Sequence, residues 1–154
     1  MSILYIDDDI EDIEIFHEAV KAVDPSIQYL SATSGKDALA LLHRSSTLPN
    51  HIVLDINMPG MDGKSCLREI RSEQRFDPIN VVIYSTNSFP KDVEQIEAMG
   101  ASFMRKANSF NDLCEMIRML VDEGGRAHRE MTEKSWPQFG EPDHSQRDHT
   151  IRYN

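Results

Sequence analysis

Carboxylates, hydroxyls and one ammonium group stand in this chain where short apolar runs stop. Ile3-Leu4-Tyr5-Ile6 runs into Asp7-Asp8-Asp9, and Ile52-Val53-Leu54 runs into Asp55. Asn80-Val81-Val82-Ile83-Tyr84 is followed by Ser85, Thr86, Asn87 and Ser88, and Ser102-Phe103-Met104-Arg105 by Lys106. Two ionised carboxylates about 4 Å apart repel by about 4 kcal/mol at an effective dielectric near 20. A pocket holding several of them must therefore take up a cation or a proton. Magnesium suits such a place, because it is a hard ion that takes carboxylate, water and phosphate oxygens. A cation, a hydroxyl and a lysine together are what handling a phosphoryl group requires. Each residue alone has a plainer reading: Asp55 as a turn or helix cap, Asp7 to Asp9 as a solvated loop, Ser85 as a turn residue, Lys106 on a solvated face. Their joint occurrence at four run ends, in this order, favours one shared site.

The elements that would position these groups follow from local pattern. Apolar runs of about four residues between turn signals suit strands buried on both faces, and Pro59-Gly60 ends the central one. Ile13, Phe16, Val20 and Val23 recur at helical spacing until Pro25, with Glu11, Asp12 and Glu14 at the favourable end of the helix dipole. Residues 27–32 read as a modest strand. Ser34 with Asp37 resembles a capping box before a helix carrying Ala38, Leu39 and Leu42. Asp62 can cap a helix in which Leu67 and Ile70 face inward and Lys64 and Arg68 face solvent. Pro90 suits a first helical turn, Val93 and Ile96 a buried stripe, and Gly100 a stop. Ser109 and Asp112 open a last amphipathic helix with Leu113, Ile117, Leu120 and Val121. Strands alternating with helices argue a parallel sheet covered on both faces. Such sheets bind ligands at the carboxyl ends of their strands, and neighbouring strands about 4.8 Å apart would bring two acidic exits together.

Composition bounds the rest. A chain of 154 residues with 40% hydrophobic content predicts one globular domain. A formal charge of -10 opposes nucleic acid and anionic membrane surfaces as partners. No stretch is long and apolar enough to span a membrane and no signal segment opens the chain, so the expected location is cytoplasmic. Cys66 and Cys114 lack metal spacing and read as reduced, partly buried thiols. Residues 122–154 read as a flexible polar tail after a domain over 1–121. The tail's mixed charge supports no DNA-binding output, His144 and His149 lack metal-pair spacing, and Trp136 and Phe139 are its only docking candidates.

The motifs Ile3 to Asp9, Leu54 to Gly63, Ile83 to Thr86 and Gly100 to Lys106 resemble those of the receiver domain of two-component response regulators, the CheY-like superfamily. The resemblance covers about residues 1 to 121 and implies a flavodoxin-like, doubly wound α/β fold: a five-stranded parallel sheet of order 2-1-3-4-5 with five helices. It implies a stand-alone response regulator in which Asp55 accepts a phosphoryl group from a sensor histidine kinase or phosphotransfer protein. Asp7, Asp8, Asp55 and the Asn57 backbone carbonyl would hold Mg2+. Ser85, or its neighbour Thr86, and Lys106 would contact phosphoryl oxygens; Ser85 and Phe103 would switch, Phe103 by turning inward; Asn57 and Asn87 would tune hydrolysis. The resemblance places the output in altered binding of a downstream protein, with the last helices as the surface through which a homodimer could form. The chain would be an acceptor that turns over no external substrate. Ala107 departs from the pattern, which has proline there, and leaves the usual cis peptide in question. A receiver-like adaptor that is never phosphorylated is the alternative. A phosphatase of the haloacid dehalogenase type fits less well, since Asn57 stands where its second acid belongs, and Gly35-Lys36 lacks the upstream glycine of a P-loop.

Overall fold

A computed structural model describes residues 1–87 and 89–122. The expectations for Ser88, Trp136, Phe139, His144 and His149, and for the tail beyond Asp122, lie outside the described residues. The elements run β1 (Ser2–Ile6), α1 (Ile10–Val23), β2 (Gln28–Ala32), α2 (Gly35–Arg44), β3 (His51–Leu54) and α3 (Gly63–Ser72). A 3-10 turn (Gln74–Phe76), β4 (Asn80–Ser85), α4 (Pro90–Ala98), β5 (Ser102–Arg105) and α5 (Phe110–Asp122) complete them. The strands form one parallel sheet of order β2-β1-β3-β4-β5.

The two-residue side-chain period of a strand divides the core into two layers. Leu4, Ile6, Ile52, Leu54, Val81, Ile83 and Phe103 face one side, where Ala38 and Leu42 of α2, Leu67 and Ile70 of α3, and Val93 and Ile96 of α4 cover them. Ile3, Tyr5, Val53, Val82, Tyr84 and Met104 face the other, under Ile13, Phe16 and Val20 of α1 and Leu113, Ile117 and Leu120 of α5. Because both faces are covered, the inner strands carry continuous apolar runs rather than alternation.

The helix ends follow the expected local chemistry. Asp9 accepts the Glu11 amide at 2.9 Å, Ser34 the Asp37 amide at 3.0 Å, Asp62 the Ser65 amide at 2.8 Å and Ser109 the Asp112 amide at 3.1 Å. Pro90 lies in the first turn of α4, and Gly100, at a φ of +71°, reverses the chain after it. One side chain on α3 departs from expectation. Lys64 is half-buried rather than free in solvent: it pairs with Asp92 and reaches Gln95 at 3.3 Å, tying α3 to α4. Arg71, which the helical pattern does not single out, donates to the carbonyls of Met99, Phe76, Ile79 and Gly100 at 3.1 to 3.3 Å. It thereby joins α3 to the loops on either side of β4 and α4.

Candidate functional site

The register decides what meets at the rim. Ile6 lies opposite Leu54, so the next residues, Asp7 and Asp55, leave the sheet side by side. One further backbone bond pins each exit to its neighbour. The Asp7 amide donates to the Ala32 carbonyl at 3.2 Å, the Asp55 amide to Ile6 at 2.9 Å, and the Lys106 amide to Ser85 at 2.9 Å. Three loops of different sequence thus present their first residue at one edge, beside Ser85 at the end of β4.

Carboxylate oxygens of Asp7, Asp8 and Asp55 all lie within 4.8 Å of one another. Asp7 and Asp55 are buried and Asp8 is exposed, so the cluster opens to solvent on one side. Burial pushes the Asp55 carboxyl up to about 6, and Asp7 and Asp8 push the same way. The Lys106 charge and the Asn57 backbone amide oppose the shift without cancelling it. A carboxylate raised in this way is one that a bound cation would relieve.

Lys106 enters the cluster from β5. Its ammonium donates to Asp7 Oδ2 at 2.9 Å and to Asp12 Oδ2 at 2.9 Å, and stands 3.8 Å from Asp55 Oδ1. Burial alone would lower its pKa, but the hydrogen bonds to Asp12 and Asp7, together with the charges of Asp7 and Asp55, outweigh burial and hold the group protonated. Asp7 is further fixed by the Tyr5 hydroxyl, which donates to Oδ2 at 2.9 Å, and by the Asp9 amide on Oδ1 at 3.0 Å. Burial first, and then Asp7, push the Tyr5 phenol far above its ordinary value, so it remains a donor.

The hydroxyl candidates separate. Ser85 is fully buried as the last residue of β4, and its Oγ has no hydrogen-bond partner among the described residues, whereas Thr86 is exposed beyond the strand end. A buried orphan hydroxyl is a group prepared for an acceptor the protein itself does not supply. Asn57 and Asn87 are exposed. A cleft of about 440 Å³ opens beside Asn57, bounded by Met58, Asp62, Lys64 and Asp92. Phe103 already lies inside, 4% exposed, among the side chains of the α2–α3–α4 layer. The peptide between Lys106 and Ala107 is trans, which answers the question raised by the missing proline.

Asp12 and Gly63 join the site although local pattern does not mark them for it. In sequence Asp12 complements the dipole of α1, yet its carboxylate is one of three around the lysine. Gly63 opens α3 under the loop that follows Asp55, where a Cβ would stand 2.5 Å from the Asp55 carbonyl oxygen and 2.6 Å from the Ile56 Cα. Only glycine permits that approach. Its place at the end of the Asp55 to Gly63 motif was the available signal.

Among the described residues no helix is long and apolar enough to cross a membrane. The chain is 34% identical over 101 residues to a protein-glutamate methylesterase/protein-glutamine glutaminase 1 of Methanosarcina mazei, over 63% of this chain and 27% of that protein. The chain therefore spans about a quarter of the length of that relative. Response regulator Rcp1 of Synechocystis is 28% identical over 122 residues, 75% of this chain and 83% of Rcp1. A Mn2+-bound form of response regulator Rcp1 superposes with a TM-score of 0.69 at 26% identity, over 80% and 92% of the two chains. The signal receiver domain of a DNA binding response regulator from Colwellia psychrerythraea 34H superposes with a TM-score of 0.68 at 31% identity, over 79% and 98%. Residues 3–118 match the family described as the response regulator receiver domain, so that the sheet order, the acidic rim and these likenesses converge: the chain belongs to the receiver domains of response regulators, signalling modules of two-component systems.

Proposed function

We propose that Asp55 is the phosphoacceptor of this receiver domain and that its modification switches the affinity of the domain for a downstream protein. The observation that carries the reading is the grouping of Asp7, Asp8 and Asp55 within 4.8 Å, with the Lys106 ammonium 3.8 Å from Asp55. The orphan Ser85 hydroxyl supports it independently. The donor is a phosphohistidine on a sensor histidine kinase or phosphotransfer protein. An Asp55 oxygen attacks phosphorus in line; the N–P bond breaks, the imidazole leaves with a proton from solvent, and a mixed anhydride forms on Asp55.

The oxygen-only donor set fits a hard divalent ion. Asp7, Asp8, Asp55 and the Asn57 carbonyl would hold Mg2+, which when bound supplies charge neutralisation on the transferred oxygens. Asp7, locked by Tyr5 and the Asp9 amide, keeps its carboxylate oriented. Lys106 shields the charge on Asp55 before transfer and pairs with a phosphoryl oxygen after it. The Ser85 hydroxyl donates to another, drawing the end of β4 toward the new group. Asn57 and Asn87 border the path of the water that hydrolyses the anhydride. Ser85 and Phe103 are the switch pair, through which the response passes from the end of β4 to β5.

Intact mass after incubation with Mg2+ and acetyl phosphate tests the reading. One phosphoryl group should add to the parent and none to Asp55→Asn. Release of phosphate from many unrelated esters would instead indicate a phosphatase. Partner binding with no added mass under any donor would indicate an adaptor. Pull-downs before and after modification then find the output partner.

A further inference from the structure

We propose that Tyr84 is a positioning residue for Lys106, holding the backbone on one side of the lysine with its hydroxyl and the ammonium with its ring. The inference rests on the reading of Lys106 as the phosphoryl contact and assigns what keeps it in place. Lys106 is the first residue beyond β5, where the ladder stops. Its own amide is held by the Ser85 carbonyl at 2.9 Å, the last such bond. The next amide, on buried Ala107, has left the sheet; a buried N–H without an acceptor is strongly disfavoured. The Tyr84 hydroxyl supplies that acceptor, at 2.9 Å and fully inside the protein. Two consecutive residues of β4 therefore hold two consecutive amides, one on each side of the Lys106 Cα.

The same ring does a second thing. Lys106 Nζ stands 5.8 Å from the centroid of Tyr84, within the range over which an ammonium is attracted to an aromatic face. The ring is itself wedged, edge-on, against Tyr5 at 6.4 Å and Phe16 at 6.3 Å, so it offers a fixed reference rather than a loose contact. The arrangement also accounts for Ala107. Proline, the residue of the family pattern at this position, has no amide hydrogen to satisfy, whereas alanine has one. Tyr84 meets the requirement that the alanine creates.

The test compares the parent with Tyr84→Phe and Tyr29→Phe. Tyr29 is a fitting control because its hydroxyl also makes a 2.9 Å hydrogen bond on the same side of the sheet, but to the Ile13 carbonyl of α1. Phosphoryl uptake from acetyl phosphate is followed by intact mass, Mg2+ affinity by calorimetry, and exchange of the Ala107 amide by NMR. In Tyr84→Phe, uptake should slow by about tenfold while Mg2+ affinity stays within about twofold, since misplacing the lysine leaves the carboxylates alone. The Ala107 amide should exchange at least about tenfold faster. Tyr29→Phe should lose a comparable amount of stability and keep the parent rate. Parent-like uptake in Tyr84→Phe, or equal slowing in both variants, overturns the proposal. If the parent itself gains no phosphoryl mass, the phosphoacceptor reading fails separately. Ala107 exchange then still decides whether Tyr84 holds the loop: unchanged protection overturns it and lost protection supports it.

Discussion

Replacing Asp55 with asparagine should stabilise the metal-free protein at neutral pH, although it removes the proposed acceptor. The reason is that the native carboxylate is held at a cost. It is 5% exposed, beside Asp7 and Asp8, and its pKa is pushed from 3.8 up to about 6, chiefly by burial. At about 1.4 kcal/mol per pH unit, that gap corresponds to about 3 kcal/mol. Below pH 3.8 the acid is protonated folded or unfolded, and no penalty arises. As pH rises the unfolded chain loses this proton first, so the folded state is progressively disfavoured; the penalty is complete once the folded group has also ionised, above about pH 6. Asparagine keeps the shape and carries no charge, and Lys106 retains Asp7 and Asp12. Urea denaturation in EDTA should therefore find Asp55→Asn about 2–3 kcal/mol more stable than the parent near pH 7.5 and within about 0.5 kcal/mol near pH 4. Added Mg2+ should narrow the gap at neutral pH by stabilising the parent through its carboxylates. A variant no more stable than the parent at neutral pH, or a difference that persists on acidification, would refute the reasoning.

Gly63→Ala forces a methyl group against the Asp55 carbonyl and the Ile56 Cα. Loss of about 2–4 kcal/mol in urea denaturation and more than about tenfold slower phosphoryl uptake are expected. Asp12→Asn removes one of the three carboxylates around Lys106, from a side chain that is 39% exposed. Uptake from a small anionic donor, followed by intact mass, should then rise about two- to fivefold, an effect of the size expected for a half-solvated charge; slower uptake would mean that Asp12 assists rather than competes. Arg71→Ala leaves the carbonyls of Met99, Phe76, Ile79 and Gly100 without their shared donor and should cost about 2–4 kcal/mol by chemical denaturation. Arg71→Lys should recover less than half of that, because one ammonium cannot reproduce the guanidinium fork.

The features legible along the chain were local ones. Apolar runs such as Ile52 to Leu54, the stops at Pro25, Pro59 and Gly100, and the caps at Ser34, Asp62 and Ser109 depend on residues within a turn or two of each other. Element order could therefore be read directly, and the family motifs supplied the strand order that local pattern leaves open. The same motifs named Asp7, Asp8, Asp55, Ser85 and Lys106, because each stands at a strand exit and exits need only the strand pattern to be located. Tertiary structure decided which partners those groups have. Asp12 reaches a lysine 94 residues away, Tyr84 an amide 23 residues away, and Arg71 loops 5 to 29 residues beyond it. Lys64 turned from solvent to Asp92 for the same reason: the side-chain period of α3 states which way a residue points, not what another helix puts there. Ser85 and Thr86 likewise differ because of where β4 stops being paired: Ser85 still lies opposite Arg105 and is enclosed, while Thr86 has left the sheet. Register and helix packing set these distances, and both are properties of the assembled sheet that no stretch of neighbouring residues contains.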